Sequence, residues 1–282
     1  ENTLVEEVIN PATKEPYLLV STDAGIQVCD EWISPSGVRY HPMDVDFIDQ
    51  SRVSLPELDP IDHISNYDLI PSELHKEIRL FIRQYVDLDP LDEYLVAAYA
   101  MHTWVYDRFE KVPYLRFIGL PGTGKSRALR VLRSLCYRSM LLNANLSDAG
   151  VFRSVGRNDH GTLLFDEMNM QYSGKTSSIV KVLNGGYERG SNIVRCEGEN
   201  YLPKYFDPFG PKIISHNQRF HDEALESRLL SIKMHATRRT DINEQLTSPD
   251  YFKQVHHLQR HLLSFRLRSF FKIDMVRRYA EL

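Results

Sequence analysis

Residues 4–33 carry short apolar runs broken by turn residues, the pattern of β-strands. Asn10-Pro11-Ala12-Thr13-Lys14 separates Leu4–Ile9 from residues 17–20, and Asp23-Ala24-Gly25 makes a second turn. Residues 34–70 hold Pro35, Gly37, Pro42, Pro56 and Pro60 among many Asp and read as an irregular connection. The period then becomes helical. A helix beginning near Pro71-Ser72-Glu73 puts Leu74, Ile78, Phe81 and Ile82 on one face. A second has Asp89 as N-cap and Pro90 at its first position, and runs through Leu95, Ala98, Met101, Val105 and Phe109.

After Pro113 strands and helices alternate. The pattern predicts strands at 114–119, 139–143, 162–166, 211–216 and 229–234, with helices near 125–137, 148–156, 176–189 and 221–228. Such alternation implies an α/β fold with a mostly parallel sheet covered on both faces. From Ser248-Pro249 a last helix spaces Tyr251, Val255, Leu258, Leu262 and Phe265 by 4, 3, 4 and 3.

Composition narrows the class. In 282 residues, 42% are apolar, enough for a sizeable core. No apolar run approaches the ~18 residues of a membrane span, and no secretory start is visible. Three cysteines are too few and too scattered for a disulfide framework or a Cys-rich zinc site. A reduced, soluble, cytoplasmic chain is expected, with no membrane partner. It begins with Glu1 and ends inside a helical pattern, as a piece of a longer chain does. Charge divides it: residues 1–70 hold 3 basic and 14 acidic residues, net −11, and the rest are net +7, which together make the overall −4.

Gly119-Leu120-Pro121-Gly122-Thr123-Gly124-Lys125-Ser126 fits the phosphate-loop pattern G-x-x-x-x-G-K-[ST], between an apolar strand and the helical run that opens with Arg127. Glycines let backbone N–H groups turn inward around phosphate oxygens, and the helix N-terminus adds its partial positive charge. Lys125 is placed to neutralise β- and γ-phosphates, and Ser126 to offer its hydroxyl to Mg²⁺. The strand 162–166 ends in Asp166-Glu167. At the carboxyl end of a parallel strand, Asp166 can hold the Mg²⁺ shell and Glu167 can polarise an attacking water. Lys212-Ile213-Ile214-Ser215-His216-Asn217 also turns polar at its end, and Asn217 can orient that water. Arg228, between a short helix and the last strand, can act as an arginine finger toward a neighbouring subunit or form an ordinary salt bridge; Arg219 competes for the finger role.

These motifs come in the order and spacing of AAA+ ATPases, which residues 114–234 resemble. Val112-Pro113-Tyr114-Leu115, Leu146-Ser147-Asp148-Ala149-Gly150-Val151-Phe152-Arg153 and Val182-Leu183-Asn184-Gly185-Gly186-Tyr187-Glu188-Arg189-Gly190 narrow the resemblance. It points to helicase domains of plasmid, phage and mobile-element replication proteins, minichromosome-maintenance-like or superfamily-three-like. The resemblance implies a five-stranded AAA+ core at 113–237, with 119–126 as Walker A, 163–167 as Walker B and Asn217 as sensor 1. It implies ATP and Mg²⁺ bound between subunits of a ring homo-oligomer, usually a hexamer. Sensor 2 has no clear match beyond Arg260. Around the core lie an acidic β-containing region (1–70), a helical segment (71–112) and a helical lid or start of a further domain (238–282).

In related helicases a hairpin before sensor 1 enters the ring channel. Here Glu197-Gly198-Glu199-Asn200 reads as the turn of such a hairpin. Arg195 and Lys204 can contact phosphates of single-stranded DNA, and Tyr201 or Tyr205 can stack on bases. The two glutamates argue instead for a surface hairpin against a neighbouring subunit. The loop around 143–148 is a second channel candidate. Residues 251–282 hold 7 basic and 2 acidic residues, a lid with a solvated basic side in preference to a nucleic-acid face. The expected function is ATP hydrolysis that drives DNA unwinding or translocation. The alternative is an AAA+ ATPase that remodels or loads a protein partner, such as another replication factor.

Overall fold

A computed structural model describes residues 2–51, 53–143, 147–157, 161–166, 178–197 and 202–273. The chain opens with an antiparallel sheet of β1 (Leu4–Ile9), β2 (Pro16–Thr22) and β3 (Gly25–Cys29). A small hairpin follows, β4 (Trp32–Ile33) with β5 (Arg39–Tyr40). The stretch 34–70, read as irregular, also contains helix α1 (Val45–Ser51) and a short 3-10 turn at Ile64–Tyr67. Then come α2 (Pro71–Tyr85) and α3 (Pro90–His102).

The second half alternates as the pattern predicts: β6 (Tyr114–Ile118), α4 (Lys125–Arg133), β7 (Met140–Asn143), α5 (Asp148–Arg157), β8 (Leu163–Asp166) and α6 (Ser178–Gly185). An antiparallel pair, β9 (Ile193–Glu197) and β10 (Leu202–Phe206), interrupts it. The chain ends with β11 (Lys212–His216), α7 (Glu223–Glu226), β12 (Leu229–Lys233) and α8 (Pro249–Ser269). Five strands form one sheet in the order β12-β6-β11-β8-β7, every pair parallel. The expected α/β P-loop NTPase core is present, with the small β region and the helices before it. All five strands are parallel, so their carboxyl ends open on one edge, where ligand groups collect.

Helix α2 buries Leu74, Ile78, Phe81 and Ile82, the face its spacing predicts. Each such side chain contributes about 1.5–3 kcal/mol relative to exposure. Helix α3 differs from expectation. It ends at His102; the expected Met101 and, past the helix, Val105 are buried, but Leu95 and Ala98 are only half-buried and Glu93, Val96, Ala97, Tyr99 and Ala100 are buried instead. The helix is apolar nearly all round, so period does not select its inner face. Tertiary hydrogen bonds do: the Tyr99 hydroxyl donates to the carbonyls of Pro113 (2.9 Å) and Lys212 (3.0 Å). The Trp104 indole, just past the helix, donates to Leu135 O (2.8 Å).

One apolar cluster joins Leu4, Val8, Tyr17 and Leu19 of the N-terminal sheet to α2, α3, α8 and the near side of the parallel sheet. The charge division recorded in the sequence is closed at this junction. Arg266 of α8 pairs with Glu6 and, by two 2.8 Å hydrogen bonds, with Asp107. Arg138 pairs with Glu7, Arg268 with Asp68, and Arg260 donates to Glu57 O (2.8 Å). Among the described residues the basic side of the last helix is therefore not solvated throughout: Arg266 and Arg268 each pair with a carboxylate of the acidic first quarter or the segment after it. No helix among the described residues is long and apolar enough to cross a membrane.

His102 illustrates what the core demands. Its Nε2 is buried without a hydrogen-bond partner among the described residues, and burial pushes its pKa down to about 4 from the usual 6.5. Below pH 6.5 the unfolded chain gains a proton that the folded chain refuses. Stability is therefore complete above 6.5 and falls by about 2–3 kcal/mol as pH drops toward 4. In His102→Phe this acid loss shrinks, as urea titrations at pH 7 and pH 4.5 will show; an unchanged loss would assign it to other groups.

Candidate nucleotide-binding site

The phosphate loop spans 119–124 between β6 and α4. Its glycines answer two separate constraints. Gly122 and Gly124 have φ of +81° and +90°, the left-handed region that side chains disfavour. At Gly119 the constraint is approach: a Cβ there would lie 2.5 Å from the carbonyl oxygen of Met234, just beyond β12. The loop is thus seated against its neighbouring strand. Pro121 lies exposed at its crest, and the Thr123 hydroxyl donates to Leu120 O (2.8 Å), closing the turn.

Three predicted residues meet at the start of α4. Lys125, only 3% exposed, donates its ammonium to the carbonyls of Gly119 (2.8 Å) and Leu120 (2.9 Å). Ser126 Oγ donates to Asp166 Oδ1 (2.9 Å) across from β8. A third residue, unpredicted, joins them: Ser215 Oγ of β11 donates to the same oxygen (2.7 Å). Two hydroxyls and one carboxylate form a compact oxygen cluster, the hard-donor set that Mg²⁺ prefers. Strand order explains Ser215. β11 lies between β6 and β8, so Ser215, its next-to-last residue, reaches Asp166 from the side opposite β7. The polar run Ser215-His216-Asn217 marked the strand's end, but only pairing reveals which residue faces the carboxylate.

Beside the loop is a cavity of about 270 Å³, lined among others by Val86, Asp87, Gly124, Arg127, Thr237 and Arg239. Arg127 is braced by a hydrogen bond to Asn243 O (3.0 Å). The Thr237 hydroxyl donates to Asp87 (2.7 Å), and Arg239 holds Asp241 with two bonds of 2.9 and 3.0 Å. Asp87, Thr237 and Arg239 were not legible in sequence because Asp87 lies 150 residues before Thr237 and none of the three belongs to a motif. Three larger cavities, of about 670, 680 and 540 Å³, touch none of the phosphate-loop glycines; the phosphate-loop chemistry, not size, locates this site.

The remaining predicted residues are placed differently. Asn217 stands exposed immediately after β11, at the same sheet edge. Glu167 lies outside the described residues, as does Tyr201. Arg228 sits at the far end of the sheet. Its carbonyl accepts from Tyr114 N at the start of β6, whereas the phosphate loop leaves the other end, about 16 Å away at the usual rise of a strand residue. Its guanidinium donates to Asn184 O (2.9 Å) and lies 5.2 Å over the Tyr187 ring. Buried Arg116 of β6 fixes the adjoining α7 by gripping both oxygens of Glu226. Arg219 is exposed. Arg260 does not reach the nucleotide cavity: it bonds Glu57 O and the Tyr67 hydroxyl on the other side of α8, so the sensor-2 expectation for it is corrected.

β9 and β10 pair as a hairpin requires, with Arg195 directly opposite Lys204. The connecting residues 198–201 lie outside the described set. Lys204 and Tyr205 are exposed, and the Lys204 ammonium stands 5.3 Å over the Phe206 ring. Below the hairpin, Lys212 is fully buried, its ammonium held by the carbonyls of Gly186, Pro208 and Gly210. Burial lowers its pKa to about 7, with Asp207 opposing. His257 and His261, four apart in sequence, serve separate partners, Glu77 and Tyr67 O. Among the described residues no three His, Cys, Asp or Glu side chains gather where they could hold a metal ion.

No family model and no curated protein matches the chain. Among solved structures it is similar to the apo A form of the NrS-1 C-terminal region, at 11% identity over 92% of this chain and 66% of that one, with a TM-score of 0.44. It is also similar to JCV helicase with a bound thiazolopyridine compound, at 17% identity over 73% of this chain and 63% of that one, TM-score 0.40. A second JCV helicase structure gives 17% identity, 76% and 66% coverage, and 0.37. The chain thus spans about two thirds of these structures, and no residue's role is taken from them. By its own strand order and phosphate loop, the chain has the fold of a P-loop NTPase core.

Proposed function

We propose that this chain is the ATP-hydrolysing motor of a ring-forming DNA helicase or translocase, of the kind that mobile-element replication proteins carry. The observation that supports hydrolysis best is the Ser126–Asp166–Ser215 cluster at the mouth of the phosphate loop. In this reading the loop amides of 119–124 and Arg127 hold the triphosphate, and Lys125 leaves its loop carbonyls to meet the β- and γ-phosphates. Ser126 and Asp166 would hold Mg²⁺, which would neutralise the charge of the phosphates. Glu167 takes a proton from the attacking water, and Asn217 orients that water. Arg239 lines the nucleotide cavity and is the better phosphate-sensing arginine than Arg260.

Arg228 acts between subunits in this reading. Too far from its own loop, it serves a neighbour's γ-phosphate, so a ring, such as a hexamer, completes each site. Arg195 and Lys204 follow the backbone of single-stranded DNA in the channel. The alternative, a motor that loads or remodels a protein, shares every nucleotide contact and differs only in what stimulates it.

Steady-state ATP hydrolysis with and without single-stranded DNA separates the two. Stimulation that is lost when Arg195 and Lys204 become Ala, and hydrolysis that vanishes in Glu167→Gln, support the helicase motor. Hydrolysis indifferent to DNA favours the protein-directed machine. The inter-subunit role has its own readout. Lys125→Ala and Arg228→Ala are each inactive alone, yet mixed rings recover a fraction of wild-type hydrolysis because some interfaces unite an intact loop with an intact arginine. No recovery on mixing would remove Arg228 from the neighbour's site, and unwinding that survives Lys125→Ala would sink the motor reading.

A further inference from the structure

Strand β3 is an open edge. The N-terminal sheet runs β1-β2-β3, and among the described residues β3 pairs with β2 alone. Its sequence, Gly25-Ile26-Gln27-Val28-Cys29, has no charge and no proline, the devices by which edges are usually blunted. Ile26 and Val28 are 44% and 48% exposed. They share a face with their cross-strand partners Ser21 and Leu19, and Leu19 belongs to the main core. The core face of this sheet thus continues outward onto an uncovered strand. Ile33, Val38 and Tyr40 of the adjoining hairpin extend the exposed apolar surface.

Charge identifies what fits there. Acidic residues flank the strand, Asp23 before it and Asp30 and Glu31 after it, and Arg39 of the adjoining hairpin already pairs with Glu31 (2.9 Å). Nucleic acid is repelled by such a surface. A second copy would set two such acidic surfaces against each other along the same edge. A basic extended segment meets both requirements: its backbone completes the ladder, one face of its side chains covers Ile26 and Val28, and its Lys or Arg residues reach Asp23, Asp30 and Glu31.

We propose that β3 is a docking edge for a basic, extended segment of a partner protein, bound by strand addition. This site is separate from the nucleotide cavity and does not depend on the reading of that cavity. The test uses the 282-residue chain and two acetylated, amidated heptapeptides, Lys-Val-Lys-Val-Lys-Val-Lys and its Glu-for-Lys counterpart, followed by amide NMR shifts and calorimetry. The Lys peptide is expected to bind at least about tenfold tighter than the Glu peptide, to shift amides of 25–29, and to weaken as salt rises. I26K/V28K, at two surface positions, is expected to lose that binding about tenfold or more while keeping its thermal transition and ATP hydrolysis; I26T/V28T, which keeps the charge, should retain the preference for Lys over Glu. Equal binding of the two peptides, or shifts elsewhere, overturns the proposal. Concentration-dependent shifts of 25–29 in the chain alone also overturn it, in favour of self-association.

Discussion

Asp166→Ala is expected to lower Mg²⁺-dependent ATP hydrolysis by about a thousandfold, roughly 4 kcal/mol of transition-state stabilisation. The carboxylate receives two hydroxyl donors, at 2.9 Å from Ser126 and 2.7 Å from Ser215, at the edge where β6, β8 and β11 open toward the phosphate loop. Removing it takes away the negative oxygen that balances a divalent cation, while the loop amides and Lys125 stay in place. Nucleotide binding measured without Mg²⁺ should therefore change little, and the enhancement of binding by Mg²⁺ should disappear. Ser215→Ala serves as the graded companion. Its hydroxyl orients Asp166 from behind, so a loss of about ten- to a hundredfold is expected, carried mainly by a raised Mg²⁺ requirement. Asp166→Ala with more than a tenth of wild-type activity would end the assignment.

The second large effect concerns stability. Arg266 is 3% exposed and Glu6 2%, and they meet across 260 residues of sequence. The guanidinium also holds Asp107 with two bonds of 2.8 Å and lies 4.4 Å from the centre of the Tyr137 ring, whose hydroxyl donates to Glu6 (2.9 Å). Every polar group in this knot has a partner, so cutting Arg266 leaves the buried Glu6 carboxylate without its counter-charge, held only by the Tyr137 hydroxyl, while the part-exposed Asp107 turns to solvent. Arg266→Leu is expected to cost roughly 3–5 kcal/mol. In a chain of this size that is a fall of about 10 °C in Tm. The double variant E6L/R266L removes a stranded charge together with its cause and should lie closer to wild type, since an apolar replacement of a buried pair is often near neutral. A single variant within 1 kcal/mol of wild type, or a double variant no better than the single, would show that the knot is hydrated rather than sealed. The same experiment tests the division of charge along the chain. If residues 1–70 were acidic only to meet an outside partner, cutting Glu6 from Arg266 would leave the chain's stability untouched.

How much of this was written in the sequence depends on the range of the interaction. The phosphate loop was legible residue by residue, because its conformation is imposed locally by glycines at 122 and 124 and by the strand and helix that flank them. The strands of the parallel sheet were legible to within a residue or two, because each is a short apolar run between turn signals. Helix α2 showed its buried face because only one side of it is apolar. Helix α3 did not, because several sides are, and the Tyr99 hydroxyl chose among them by reaching Pro113 and Lys212.

What only the tertiary structure decided are the pairings between distant segments. Strand order put Ser215 on Asp166; in sequence it was an unremarked serine two places before Asn217. The height of the sheet put Arg228 about 16 Å from its own phosphate loop. The packing of α8 turned Arg260 and Arg266 toward the acidic N-terminal region, where a count of charges along the helix read a solvated basic side. Local sequence sets backbone conformation and period, since those act between neighbours. Which charge meets which is settled when the core closes, because burial makes an unpaired charge costly and leaves few arrangements in which all are matched.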